Sequence, residues 1–153
     1  MPIHDPFIEL FHFICNKVDS VGDVVSALNQ NELAYFTVNA LRNEVNNGGF
    51  EQFFFNSAGD LYRETLLGLK KIGASETLEL LERASRIAFG TVLPPNNRQA
   101  RWKLLDMLST DSRAALAKLE DSFYKGLDRL DASLQRFATE TKLVSPFISD
   151  FRH

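Results

Sequence analysis

Apolar residues recur at three- and four-residue steps through nearly the whole chain, the spacing of amphipathic helices. Phe7, Leu10, Phe11, Ile14 and Val18 form the first stripe. Asp5-Pro6 offers an N-cap and first-turn residue before it, and Gly22 a stop behind it. Ala34, Val38, Leu41 and Val45 form the second, after the polar start Asn29-Gln30-Asn31-Glu32. That helix is expected to stop at Asn46-Asn47-Gly48-Gly49, where Asn and Gly tolerate a left-handed terminus. A short aromatic piece, Phe50 to Asn56, follows and ends at Gly59. Asp60 is then placed to cap a helix carrying Tyr62, Leu66 and Leu69, closed by Gly73.

Ser75 begins the next helix, with Glu76 and Glu79 near its positive end and Leu78, Leu81, Ala84 and Ala88 on one face. Gly90 to Asn97 contains Pro94-Pro95 and reads as a loop. A helix over about 98–108 gathers Trp102, Leu105 and Leu108, and Thr110 or Asp111 caps one bearing Ala115, Leu116 and Leu119. Leu127, Leu130, Leu134 and Phe137 carry the last strong pattern. The tail after Ser145-Pro146 is expected to dock through Phe147, Ile148 and Phe151. No alternating strand pattern and no repeat interrupts this series. The expectation is an all-α fold, a single compact domain of about seven helices over residues 1–153.

Composition limits the function classes. At 153 residues, 44% hydrophobic and 24% charged, the chain has enough apolar surface for a core. One cysteine, Cys15, excludes an internal disulfide and a zinc ribbon, and points to a reducing compartment. With no signal-like start and no long apolar run, a cytosolic location is expected and no membrane association. Net charge is only −3, but it is unevenly spread. Residues 1–60 hold eight acids and two bases, whereas the rest is net positive by three. The acidic part repels nucleic acid and attracts a basic partner, so direct nucleic-acid binding is not expected.

Catalytic signatures are missing: no phosphate-binding glycine loop, His-Glu-x-x-His, Gly-x-Ser-x-Gly or Cys-x-x-Cys occurs. Glu9 and His12 have the Glu-x-x-His spacing of di-metal bundles, with Cys15 one turn further and a weak echo at Asp150-x-x-His153. The remaining ligands of such a site are absent, so no metal or cofactor is expected. Arg98, Arg101 and Lys103 flank Trp102, too small a basic patch for nucleic acid. Arg101 is better placed to pair with an acid such as Glu44 or Asp60.

The densest run is Glu44-Val45-Asn46-Asn47-Gly48-Gly49-Phe50-Glu51-Gln52-Phe53-Phe54-Phe55-Asn56-Ser57-Ala58-Gly59. Its residue types suit a rigid elbow in which the glycines turn the chain, the phenylalanines anchor it and the amides close the helix ends. On this reading Gly48 or Gly49 takes a backbone conformation unfavourable to other residues, and Phe53 is buried. The competing reading is a polar pocket made by Glu44, Asn47, Gln52 and Asn56, for a small ligand or an enzymatic reaction.

This run resembles the hallmark of the bacterial DNA-mimic protein family, through its Asn-Gly-Gly-Phe-x-Gln-Phe-Phe-x-Asn string. Ile72-Gly73-Ala74, Pro94-Pro95 before an Arg98-containing helix, and Leu119-Glu120-Asp121-Ser122-Phe123-Tyr124 opening the last helix continue the likeness over about residues 30–140. The resemblance implies an all-helical fold, no enzymatic activity, and carboxylates displayed so that a DNA-binding regulator takes the protein for duplex DNA. Typical mimics are strongly acidic, and a net charge of −3 departs from that. Within the motif, Glu44, Asn46, Asn47, Gly48, Gly49, Phe50, Gln52, Phe53, Asn56 and Gly59 are expected to maintain the scaffold. The contact falls to acids mostly outside it, Asp19, Asp23, Glu32 and Glu51, which mimicry requires to be exposed and unpaired. The expected function is a non-enzymatic interaction protein that binds a basic DNA-binding partner. An immunity or antitoxin-like binder uses the same physics against a toxic partner.

Overall fold

In the computed structural model residues 4–126 and 129–148 are described; Leu127, Asp150, Phe151 and His153 lie outside them. Helix α1, Pro6–Val21, begins where the Asp5 side chain accepts from the Phe7 N–H at 2.9 Å. It ends at Gly22, whose N–H reaches Val18 O at 2.7 Å. Leu10 and Ile14 face the core. A short helix the periodicity did not reveal, α2 (Val24–Ala27), follows, its first turn closed by the Asp23 carboxylate on Ser26. One turn is too brief to show a hydrophobic period.

Helix α3, Gln30–Phe55, starts with a reciprocal capping box. Asn29 accepts from the Glu32 N–H at 2.8 Å, and Glu32 accepts from the Asn29 N–H at 3.0 Å. Burial falls on every side of its first half: Leu33, Ala34, Tyr35, Thr37, Val38, Leu41 and Val45 are all buried. Such a helix belongs at the centre of the fold, and α3 packs against α1, against α4 (Tyr62–Ile72) and α5 (Ser75–Phe89), and against the three helices that follow them. The remaining elements are α6 (Arg98–Asp106), α7 (Thr110–Tyr124), α8 (Leu130–Glu140) and 3-10 turns at Ser57–Leu61 and Ser145–Phe147. The described residues thus form eight α-helices and no strand, one more helix than the pattern suggested.

Three local expectations are corrected. Asp60 does not cap α4; it lies in the preceding 3-10 turn and turns its carboxylate to Arg98 and Arg101. Neither Thr110 nor Asp111 caps α7, because Ser109 accepts from the Ser112 N–H at 3.0 Å. The Leu119–Tyr124 string closes α7 rather than opening the last helix. At the tail, Phe147 packs on Phe13 with centroids 5.5 Å apart, and His4 Nε2 lies 2.8 Å from the Phe147 carbonyl. Ile148 remains exposed.

Candidate functional site

The motif forms the elbow. Helix α3 breaks at Gly48 and Gly49, which have non-helical backbone angles, and resumes at Phe50. A helix break frees carbonyls on one side and N–H groups on the other. Helix α7 closes both. Tyr124 Oη donates to Val45 O at 3.0 Å, and Glu120 Oε2 accepts from the Phe50 N–H at 2.9 Å. Glu120 and Tyr124 are four residues apart, one turn along the same face of α7, and Phe123 meets Phe50 edge-on at 6.0 Å. These partners were missed as such in the sequence, where Glu120 and Tyr124 stood only as part of a familiar string.

The conformational demand falls on Gly49, at φ +78° and ψ −175°, a region essentially closed to other residues. A Cβ there would also collide with the Glu120 carboxylate. Gly48, at φ −157°, makes no such demand, although a Cβ would displace the Gln52 side chain. Gly49→Ala is therefore expected to destabilise the protein by about 1–3 kcal/mol, and Gly48→Ala by less, in paired denaturant titrations.

Burial pushes the Glu120 carboxyl above its usual range; the Phe50 N–H opposes that shift, and Glu51 and Asp121 add to it. A carboxyl raised on folding binds more protons in the native state, so its contribution to stability falls as pH rises from its unfolded value through its folded one. Glu120→Gln, which keeps an acceptor oxygen, should remove that component. The difference between wild-type and variant melting curves should then favour the variant increasingly as pH rises through this window. Glu120→Ala leaves the Phe50 N–H unpaired and should cost about 1–3 kcal/mol.

On the other side of the elbow the amides organise a carboxylate. Glu44 Oε2 accepts from Gln52 Nε2 at 3.0 Å and from Asn56 Nδ2 at 2.8 Å. Asn47 is exposed and takes no part in this cluster, and Asn46 is also exposed. The amides bond within the motif, which supports the scaffold reading over a pocket where Glu44, Asn47, Gln52 and Asn56 converge. The chain then turns tightly at Gly59, where a Cβ would lie 2.9 Å from the carbonyls of Phe53 and Phe54. Arg101 is fully buried beneath this turn. It donates to Phe54 O, Pro95 O and Asn96 O, and its other arm meets Asp60. Arg98 meets Asp60 from the solvent side. Burial pushes the Asp60 carboxyl up, but the hydrogen bonds and charges of the two arginines outweigh it and hold the group below its ordinary value.

Beside the elbow lies an open cavity of about 390 Å³. Asp23, Glu44 and Asp60 border it, Phe36, Ala40 and Leu61 supply apolar wall, and Arg98 is its one base. Asp23 is exposed, with its carboxyl held low by the Ser26 hydroxyl and N–H. Asp19, on the last turns of α1, is exposed and has no ion-pair partner among the described residues. Two other acids do not meet the requirement of being exposed and unpaired. Glu32 is buried, holding Lys17 at 2.8 Å as well as the start of α3. Glu51 pairs with Arg113 at 3.0 Å. Both are short of partners only in the sequence.

The metal-like spacing does not assemble. Glu9 lies 3.0 Å from His4, His12 is exposed, and burial raises the Cys15 thiol, helped by Asp19. Among the described residues no three such side chains come together. No described helix is long and apolar enough to cross a membrane. Trp102 stacks on Phe55 at 5.0 Å and donates its Nε1–H to the Phe55 carbonyl, capping the end of α3.

Comparison with known proteins adds one finding. The family model described as DMP19-like protein matches residues 26–141, spanning α3 to α8 and the whole elbow. No curated protein and no solved structure matches.

Proposed function

We propose that this chain, which belongs to the DMP19-like family, is a non-enzymatic protein of the cytoplasm that binds a basic DNA-binding protein in place of DNA. The observation that carries the reading is the corner where α1, α2 and the elbow meet. Asp23, Glu44 and Asp60 border one cavity there, with Arg98 on its wall and the buried Arg101 also paired to Asp60. Family membership supports the class of partner, and the charge of residues 1–60 supports the face. The contact set narrows to Asp19 and Asp23, which pair with no base among the described residues, since Glu32 and Glu51 are held in ion pairs within the fold.

Capture of partners from the native cell, followed by a salt titration, tests this. The captured protein should be DNA-binding, and its affinity should fall as salt rises, because exposed charges are screened beyond about 10 Å at 0.1 M. Combining Asp19→Lys with Asp23→Asn should lower affinity about tenfold or more at low salt. Asn keeps the cap on α2, so the melting temperature should hardly move. Salt-insensitive binding that survives both substitutions would contradict the reading, and capture of a toxin instead would assign the surface to an immunity role.

A further inference from the structure

The two arginines that hold Asp60 have unequal standing. Arg101 is fully buried and bound to three backbone carbonyls, so it is fixed in the fold. Arg98 is 43% exposed, and among the described residues its side-chain hydrogen bonds go to Asp60. It sits at the cavity, where Asp60 is one of three carboxylates and the other two, Asp23 and Glu44, pair with no base among the described residues. The bonds to Glu44 all fall on Oε2, leaving Oε1 without a partner among the described residues. Phe36, Ala40 and Leu61 supply the apolar part of the wall.

An open cavity with an apolar wall and three carboxylates at its border fits a long aliphatic stem ending in a planar, multiply donating cation. We propose that the cavity receives an arginine side chain of the protein partner, and that Arg98 is its intramolecular stand-in, displaced from Asp60 when the partner docks. This rests on the proposed binding function and specifies the anchor within it. Exchanging one guanidinium for another leaves Asp60 paired throughout, while the incoming group also reaches Glu44, which Arg98 does not contact. The motif amides gain a role here: Gln52 and Asn56 fix the Glu44 carboxylate at the cavity.

The test uses the full chain, labelled with ¹⁵N and titrated at low salt with N-acetyl-arginine amide, and separately with N-acetyl-citrulline amide, its neutral isostere. Saturable shifts are expected at the amides of Asp23, Ser57, Ala58 and Leu61, with citrulline at least about fivefold weaker. Arg98→Ala, which removes the stand-in, should tighten arginine binding by about fivefold, and Glu44→Gln should weaken it by a similar factor. Absence of saturable shifts, equal response to citrulline, or weaker binding in Arg98→Ala would overturn the proposal. If arginine amide fails while Asp19→Lys with Asp23→Asn still abolishes capture of the partner, the anchor is wrong and the acidic surface stands. If arginine amide binds but capture ignores those two acids, the cavity stands and the broader reading falls.

Discussion

Arg101→Ala is expected to destabilise the protein by on the order of 3–5 kcal/mol, since a fully buried side chain and its hydrogen bonds to three backbone carbonyls are lost together. The buried guanidinium ties the Phe54 carbonyl, the Pro95-Asn96 loop and Asp60 to one point. Removing it leaves buried acceptors unpaired, each costly in a low dielectric. For a chain this size the melting temperature should fall by on the order of 10 °C. Arg101→Lys should recover less than half of that, because an ammonium cannot reproduce a fork that serves three carbonyls and a carboxylate. A variant melting within about 2 °C of wild type would show that the turn holds together without this residue.

The run of phenylalanines gives the second large effect, and one that separates neighbours. Phe53 and Phe54 are fully buried, and Phe54 meets Phe53, Tyr62 and Phe89 at 5.0–6.1 Å. Phe55 is 48% exposed and stacks on Trp102. Phe53→Ala and Phe54→Ala should each cost about 3–5 kcal/mol, the loss of burial plus a cavity in a packed core. Phe55→Ala should cost about 1 kcal/mol or less, one exposed aromatic contact. Chemical denaturation of the three variants measures this directly. Similar small losses at all three positions would mean that the motif is not the anchor of the fold.

The same contrast shows what a sequence can and cannot carry. Asp5-Pro6, Gly22, Asn29 with Glu32, and Gly73 are local signals, and each acts within a few residues of itself. Helix faces follow from spacing, so the stripe Ala34, Val38, Leu41 and Val45 was legible, as was the break at Gly48-Gly49. Long-range partners were not. Glu32 looked like a free surface acid until α1 brought Lys17 over it, and Glu51 until α7 brought Arg113. Asp60 read as a cap because it precedes a helix, yet a buried arginine some forty residues later claims it. Glu120 and Tyr124 carried a hidden clue, because two hydrogen-bonding side chains at i and i+4 can bridge a helix break. Nothing in the chain says which break they serve until α7 packs beside α3.

The cavity beside the elbow belongs to that second kind of information. Asp23, Glu44 and Asp60 are spread over almost forty residues and meet only through the α2 turn and the motif. Arg98 and Arg101 both pair with Asp60, so the acidic character of this corner rests on Asp23 and Glu44, which pair with no base among the described residues. A mild total charge is compatible with recognition of a basic protein when acids gather at one corner and a base such as Arg113 is taken up by an acid elsewhere.

Displacement of DNA tests the central claim most directly. The captured partner is first bound to a fluorescent duplex of its own recognition sequence, and this protein is then titrated in at low salt. Release of the duplex is expected, with wild type displacing it at concentrations at least about tenfold lower than the variant combining Asp19→Lys with Asp23→Asn. A ternary complex in which partner, duplex and this protein remain together would contradict the account, as would displacement that the two substitutions leave unchanged.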